Sequence, residues 1–240
     1  MPFRRDGVII LDGIFDKARI QELRTDLGRK HPEYLGKGKP DDFVEVGDNR
    51  LMAALRFAPP FDCADIYDHP VLTEMLQTLL TENFVFDSIG IIASLPGAAE
   101  QHVHRDGGFL FSETGIDRVL PASAVTVMIP LADMNSVNGS TAFWPGSHIG
   151  GEPDEDAPFV TPEIPVGSLV IWDYRLQHQG MANCGSVARP LIFLTACRPF
   201  WTDHLNFGEG RNAKLLACPS ALDQLNKQTR ARFARAKLTA

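Results

Sequence analysis

The chain lacks most of what would tie it to a membrane, a nucleic acid or an oxidising compartment. No apolar run of the ~18 residues needed to span a bilayer occurs in its 240 residues. The opening Met-Pro-Phe-Arg-Arg-Asp-Gly carries charge but no apolar stretch of signal-peptide length. Positive charge is outnumbered: 23 Lys and Arg stand against 30 Asp and Glu, a net charge of −7, which argues against a nucleic-acid or anionic-membrane partner. The four cysteines, Cys63, Cys184, Cys197 and Cys218, show neither close pairing nor zinc spacing, and reduced thiols are expected. Internal repeats and low-complexity tracts are absent. What remains is an ordinary globular composition, 44% hydrophobic and 22% charged. The expectation is one soluble, cytoplasmic domain over residues 1–240.

Residues 7–15 read as a short strand with Val8, Ile9, Ile10 and Leu11 as its body. Asp16 is placed to cap a helix running to about Lys30, with Ile20, Leu23 and Leu27 along one face. Residues 31–50 are polar, rich in Gly, Pro and Asp, and read as a loop. Asp68 or His69 is placed to cap a second helix over 70–81, with Pro70 in its first turn. From Phe84 the pattern changes to short strands near 84–95, 101–106, 122–131, 140–144, 166–173 and 189–198, punctuated by Gly and Pro. The fold class this predicts is mainly β with flanking helices (α+β): a helical buttress over 16–83 and a double-stranded β-helix, or jelly roll, over about 84–200. Residues 150–157 read as an acidic solvated loop, and 219–237 as a basic amphipathic terminal helix.

The chemistry concentrates in Gln101-His102-Val103-His104-Arg105-Asp106-Gly107-Gly108. In an extended strand residues i and i+2 face the same way, so His104 and Asp106 present an imidazole and a carboxylate side by side, with His102 one step further along. Arg105 then points to the opposite face. Two ligands do not hold a catalytic iron, and the best third is His178, at the end of the apolar stretch 168–172. A His-x-Asp pair with a distant His is the facial triad of non-haem Fe(II) oxygenases, which leaves three coordination positions open. Plainer readings stand beside it: Asp106 as a turn residue before two glycines, His178 as a core histidine, Arg189 as a structural ion-pair partner. His102-x-His104 also suggests a cupin, with His148 as a third ligand. A cupin wants Glu four or five residues after the second His, where Gly108 and Phe109 stand.

The ordered set of His104-x-Asp106, His178 and Arg189, each with a strand-like segment, resembles the phytanoyl-CoA dioxygenase (PhyH-like) group of Fe(II)/2-oxoglutarate oxygenases. Asp6-Gly7-Val8-Ile9-Ile10-Leu11 resembles that group too. So do Asn138-Gly139-Ser140 leading to Pro145-Gly146-Ser147-His148, and Gly167-Ser168-Leu169-Val170-Ile171-Trp172-Asp173. The resemblance implies Fe(II) held by His104, Asp106 and His178, with 2-oxoglutarate and O2 as co-substrates and succinate and CO2 as products. It implies hydroxylation as the commonest outcome, and Asp106 sets the chain apart from related halogenases with Gly or Ala there. Arg189 is implied for the distal carboxylate of 2-oxoglutarate. A guanidinium at the mouth of an apolar strand wants an anion, and its planar fork matches a carboxylate.

Asn183 and Thr126 are candidate further contacts to the co-substrate. His102, Phe109, Phe111 and Trp201 are candidate substrate contacts, with His204 near the rim, and His148 is read as structural. On the family pattern 31–50 is a lid. No Lys/Arg cluster suits the phosphates of coenzyme A, so the expected partner is a small apolar or aromatic metabolite of secondary metabolism. The rival is a non-enzymatic cupin-like sensor built on His102, His104 and His148.

Overall fold

A computed structural model of the chain describes residues 2–38, 43–150, 156–206 and 214–239. Part of the expected lid (39–42) and most of the acidic loop (151–155) lie outside the described residues. Helix α1 (Pro2–Asp6) leads into β1 (Val8–Leu11), and α2 (Lys17–Lys30) follows. Next come β2 (Val44–Glu45), β3 (Arg50–Ala54), α3 (Ala64–Tyr67) and α4 (Pro70–Leu79). The central strands are β4 (Val85–Ser94), β5 (Ala124–Pro130), β6 (Thr141–Phe143), β7 (Leu169–Asp173), β8 (His178–Gly180) and β9 (Arg189–Cys197). The chain closes with β10 (Leu216–Ala217), α5 (Pro219–Leu222), α6 (Lys227–Arg232) and β11 (Lys237–Leu238).

Seven strands form one antiparallel sheet in the order β1-β7-β5-β9-β4-β3-β2. β6 and β8 pair antiparallel in a smaller layer, which single bridges extend from β8 to His104 and from β6 to Val160. The two layers are the jelly roll that the sequence predicts.

Both faces of the large sheet are covered, which is why β5, β7 and β9 read as near-continuous apolar runs rather than alternating ones. The outer-face residues Leu51, Ile91, Val127, Ile171 and Leu194 share one buried core with Ile20, Leu23 and Leu27 of α2 and Leu72 and Leu76 of α4. Each fully buried leucine there contributes about 1.5–3 kcal/mol. Asp16 caps α2 by accepting from the backbone N–H of Arg19 at 3.0 Å. The inner face carries Met52, Ile92, Met128, Val170, Trp172, Leu191 and Phe193, the next residue along each strand.

The structure departs from the expectations in several places, among them the loop read over 31–50, which holds a 3-10 helix (Pro32–Leu35) and β2, and β8, which was not expected. Residues 101–106 form no strand but a single bridge at His104. The terminal helix expected over 219–237 is two short helices and β11, because Asn226 caps α6 by accepting from Thr229 N–H and so starts a new helix. The sheet also begins well before residue 84, since β1, β2 and β3 belong to it.

Candidate active site

His104 and His178 are joined through their backbones. His104 N–H donates to His178 O at 3.0 Å and His178 N–H to His104 O at 2.9 Å. This reciprocal pair sets the two imidazoles 4.4 Å apart, centroid to centroid. The turn that delivers His178 is fixed by Arg175, which meets Asp173 in a buried ion pair at 2.8 Å and donates to Asp117 O at 2.7 Å.

Asp106 completes the group. Its Oδ2 accepts from Thr126 Oγ1 at 2.5 Å and from Trp172 Nε1 at 2.9 Å, and its Oδ1 stands 3.5 Å from His178 Nε2. One ligand atom from each of His104, Asp106 and His178 lies within 4.8 Å of the other two. Nδ1 of His104 faces His102 O at 2.9 Å, and Nδ1 of His178 faces Leu176 O at 3.0 Å. A carbonyl only accepts, so Nδ1 carries the proton and Nε2 keeps its lone pair. Burial, and then the neighbouring His178, push the His104 pKa down, which favours the neutral form a metal needs. Two imidazole nitrogens and one carboxylate oxygen, braced from behind, are a donor set that fits Fe(II).

The triad borders a cavity of about 700 Å³, within the range of small-molecule sites. Met52, Ile92, Met128, Leu191 and Phe193 give it an apolar floor on the large sheet. Arg189 lines the same cavity and is 1% exposed. Its Nε donates to Asn138 O at 3.2 Å, while Nη1 is buried without a partner. Burial, and then the charge of Arg50, pull its pKa down to about 9. This is a cation set in place without a counter-charge among the described residues.

The other expected site residues divide. Thr126 lines the cavity, but its hydroxyl holds Asp106. His102 lines the cavity at an exposed position. Asn183 does not: its amide nitrogen donates to Ser94 O and Val187 O, and its oxygen accepts from Gly185 N–H. The cavity-lining residues do not include Phe109, Phe111 or Trp201. Phe109 lies under the Arg105 guanidinium at 5.2 Å, Phe111 is 51% exposed, and Trp201 packs edge-on against Tyr174. Arg105 borders the cavity yet donates to Arg175 O and Ser147 O, clear of the ligand atoms. His204 is exposed.

His148 is buried against Gly7, whose φ of +78° and missing Cβ make the space; a Cβ there would lie 2.5 Å from His148 Nδ1. Its position rules out the cupin-like trio, since among the described residues only His104, Asp106 and His178 group as a potential metal site. Sequence reasoning missed Arg50, Gln101, Trp172, Tyr174 and Asn206, all of which line the cavity. For Trp172 the signal was present: it stands two residues after Val170 on a strand whose inward positions face the site.

The family profile described as "Phytanoyl-CoA dioxygenase (PhyH)" matches residues 3–191. The chain is 27% identical over 209 residues to the Fe(II)/2-oxoglutarate-dependent dioxygenase nvfF of Aspergillus novofumigatus, covering 79% of this chain and 69% of that protein. It is 24% identical over 194 residues to dioxygenase aneA of Aspergillus aculeatus, covering 75% and 64%, so it spans about two thirds of the length of these relatives. Among solved structures, HygX from Streptomyces hygroscopicus, with nickel, 2-oxoglutarate and hygromycin B bound, matches with a TM-score of 0.65 at 16% identity, covering 83% of this chain and 86% of that one. The alpha-ketoglutarate dependent epimerase SnoN from nogalamycin biosynthesis matches at 0.62 and 17%, covering 88% and 89%. These two likenesses are of fold. A profile match over residues 3–191 makes the chain a member of the phytanoyl-CoA dioxygenase (PhyH) family, whose enzymes work with Fe(II), 2-oxoglutarate and O2.

Proposed function

We propose that the chain is an oxygenase that uses His104, Asp106 and His178 to hold Fe(II), binds 2-oxoglutarate with Arg189, and oxidises one C–H bond of a small metabolite, hydroxylation being the outcome we favour. The observation that carries this reading is the pairing of a three-donor group with a buried, uncompensated guanidinium on one cavity. Held by His104, Asp106 and His178, Fe(II) would supply, with 2-oxoglutarate and O2, the oxidising chemistry for a substrate C–H bond, 2-oxoglutarate being converted to succinate and CO2.

The chain's own residues have four tasks. His104 and His178 offer Nε2 because backbone carbonyls hold their Nδ1 protons. Thr126 and Trp172 fix the Asp106 carboxylate, so that Oδ1 is the oxygen left toward His178. Arg189 gives the distal carboxylate a bidentate partner in a low-dielectric wall. Met128, Leu191 and Phe193 keep water from the reacting end.

The substrate we infer is a small organic metabolite of secondary metabolism, in line with the hygromycin B bound to HygX, whose fold this chain shares. Trp172 and Tyr174 offer an apolar and aromatic wall. The exposed lining residues Glu45, Asp48, Glu100 and His102 give the mouth a polar rim, so the substrate carries polar groups at its outer end.

Aerobic incubation with Fe(II) and 2-oxoglutarate tests the reading. Succinate is expected even without substrate, at a slow uncoupled rate, and its formation is lost in Asp106→Ala and His178→Ala. Tight metal binding with no consumption of the 2-oxo acid would instead point to a metal or ligand sensor.

A further inference from the structure

His104 and His178 brace each other through their backbones. Asp106 belongs to no strand: it lies in a bend two residues past the bridge at His104. Sheet pairing therefore does not set the direction in which its carboxylate leaves the chain. Thr126 and Trp172 hold the carboxylate at Oδ2, but a side chain is only as well placed as the backbone that carries it.

That backbone is gripped at the peptide group joining Asp106 to Gly107, by both of its polar atoms. Gly107 N–H donates to Tyr174 O at 3.0 Å, and Asp106 O accepts from Asn206 Nδ2 at 2.8 Å. A peptide group is planar, so holding its N–H and its C=O fixes the plane and constrains ψ of Asp106. Gly107 makes room for the grip: a Cβ there would lie 2.7 Å from Tyr174 Cδ1.

The two gripping residues are tied to each other through Asp203. Asn206 Nδ2 donates to Asp203 Oδ2 at 2.8 Å and to Tyr174 Oη at 3.2 Å, while Tyr174 Oη donates to the same Asp203 oxygen at 2.6 Å. All three neighbours of the Asn206 amide offer oxygen, which assigns the nitrogen to that side. Asp203 is 6% exposed. Burial pushes its pKa up, but the bonds from Tyr174, Leu205 and Asn206 together hold it below the ordinary value, so the hub is a carboxylate and its bonds are of the stronger, charge-assisted kind. Its N–H donates to the buried Asp87 at 2.9 Å and its carbonyl accepts from Lys214 at 2.6 Å, while Arg235 meets Asp87 at 2.6 Å. Asp203, Asn206, Lys214 and Arg235 all lie beyond residue 191, where the match to the family profile ends.

We propose that Asn206 is a positioning residue for the metal ligand Asp106: with Tyr174 it locks the peptide that follows the ligand, and so makes the C-terminal segment part of the metal site. This rests on the reading of His104, Asp106 and His178 as the Fe(II) ligands. Asn206 acts through Asp106 and not on the metal, so its removal leaves all three ligands in place but one of them poorly aimed.

The test measures the anaerobic Fe(II) affinity of the full-length, metal-free protein by competition with a chelator, beside its urea unfolding. Asn206→Ala weakens Fe(II) about tenfold, the low end for partners one step behind a ligand. Asn206→Asp keeps the size but sets an oxygen against Asp106 O and Asp203 Oδ2, and weakens Fe(II) at least as much. At saturating Co(II) the visible d–d spectrum of both variants shifts, because Asp106 meets the ion at a changed angle. An Asn206 that only holds its own loop predicts wild-type Fe(II) affinity and a wild-type Co(II) spectrum in both variants, with any loss confined to unfolding; that result overturns the proposal. If Asn206→Ala fails to fold, Tyr174→Phe keeps the ring against Gly107 and removes only Oη. A smaller loss of Fe(II) affinity is expected there, and an unchanged affinity overturns the proposal equally. An Asp106→Ala variant that binds Fe(II) as tightly as wild type would instead sink the reading of the triad itself.

Discussion

Trp172 donates its indole N–H to Oδ2 of Asp106 at 2.9 Å, on the carboxylate oxygen turned away from His178. The same oxygen accepts from Thr126 Oγ1, so Asp106 is oriented by two donors from adjacent strands of the large sheet. Partners of this kind, one step behind the ligands, typically control metal affinity by about 10–100-fold. Trp172→Phe keeps most of the ring that packs on Phe143 and His178 but removes the donor. Fe(II) affinity, measured anaerobically by competition with a chelator, is expected to fall by about tenfold, and further in Trp172→Phe/Thr126→Val. Unchanged affinity in the double variant would mean that Asp106 needs no such support.

How far the site was legible from the sequence follows from which residues sit on regular elements. The grouping of His104, Asp106 and His178, and the place of Arg189 on the same cavity, were readable because a short motif, the residues just past an apolar strand and a strand start carry them. Arg50 was not. It opens β3, whose Leu51, Met52, Ala53 and Ala54 are apolar on both faces because helices cover one side and the cavity floor the other, so no alternation marks the strand. β8 is three residues long, His-Gln-Gly, and no periodicity survives at that length. Phe109 and Phe111 look like cavity walls by their nearness to the motif, and Trp201 by its place beyond the last strand. The glycine pair 107–108 is followed by turns that carry Phe111 into solvent, and sequence distance says nothing of that.

Asp87 is the next residue whose removal has a defined consequence. It is 0% exposed and accepts from Arg235 at 2.6 Å, Lys214 at 3.0 Å, Thr202 Oγ1 at 3.0 Å and the Asp203 N–H at 2.9 Å. Asp203 in turn accepts from Tyr174 Oη at 2.6 Å and from Asn206 Nδ2, which also donates to Asp106 O at 2.8 Å. Asp87→Asn leaves two cations without their counter-charge. The expected loss is about 2–3 kcal/mol, below the ~3–5 for a fully buried pair because Lys214 and Arg235 keep some exposure. Urea unfolding measures it, and a loss under about 0.5 kcal/mol would show that solvent satisfies both cations.

His148 gives the fold a pH dependence with a definite sign. Burial holds its pKa below the ordinary value, so the unfolded chain takes up its proton near pH 6.5 while the folded chain resists to lower pH. In that window the unfolded state binds more protons, and stability falls as pH drops below about 6.5. The metal-free protein should lose unfolding free energy between about pH 7 and pH 5. His148→Gln should flatten the slope without abolishing it, since burial also holds His104 down. A variant slope equal to the wild-type slope would remove His148 from the account.

The most direct test is the visible spectrum of the metal-free protein on anaerobic addition of Fe(II) and then 2-oxoglutarate. If His104, Asp106 and His178 hold the metal and leave adjacent positions for a chelating 2-oxo acid, a weak charge-transfer band in the visible appears only when both are present. It should be absent in Asp106→Ala and His178→Ala at the same concentrations. Fe(II) bound tightly with no band on adding 2-oxoglutarate, or a band that survives in both alanine variants, would contradict the assignment of this triad.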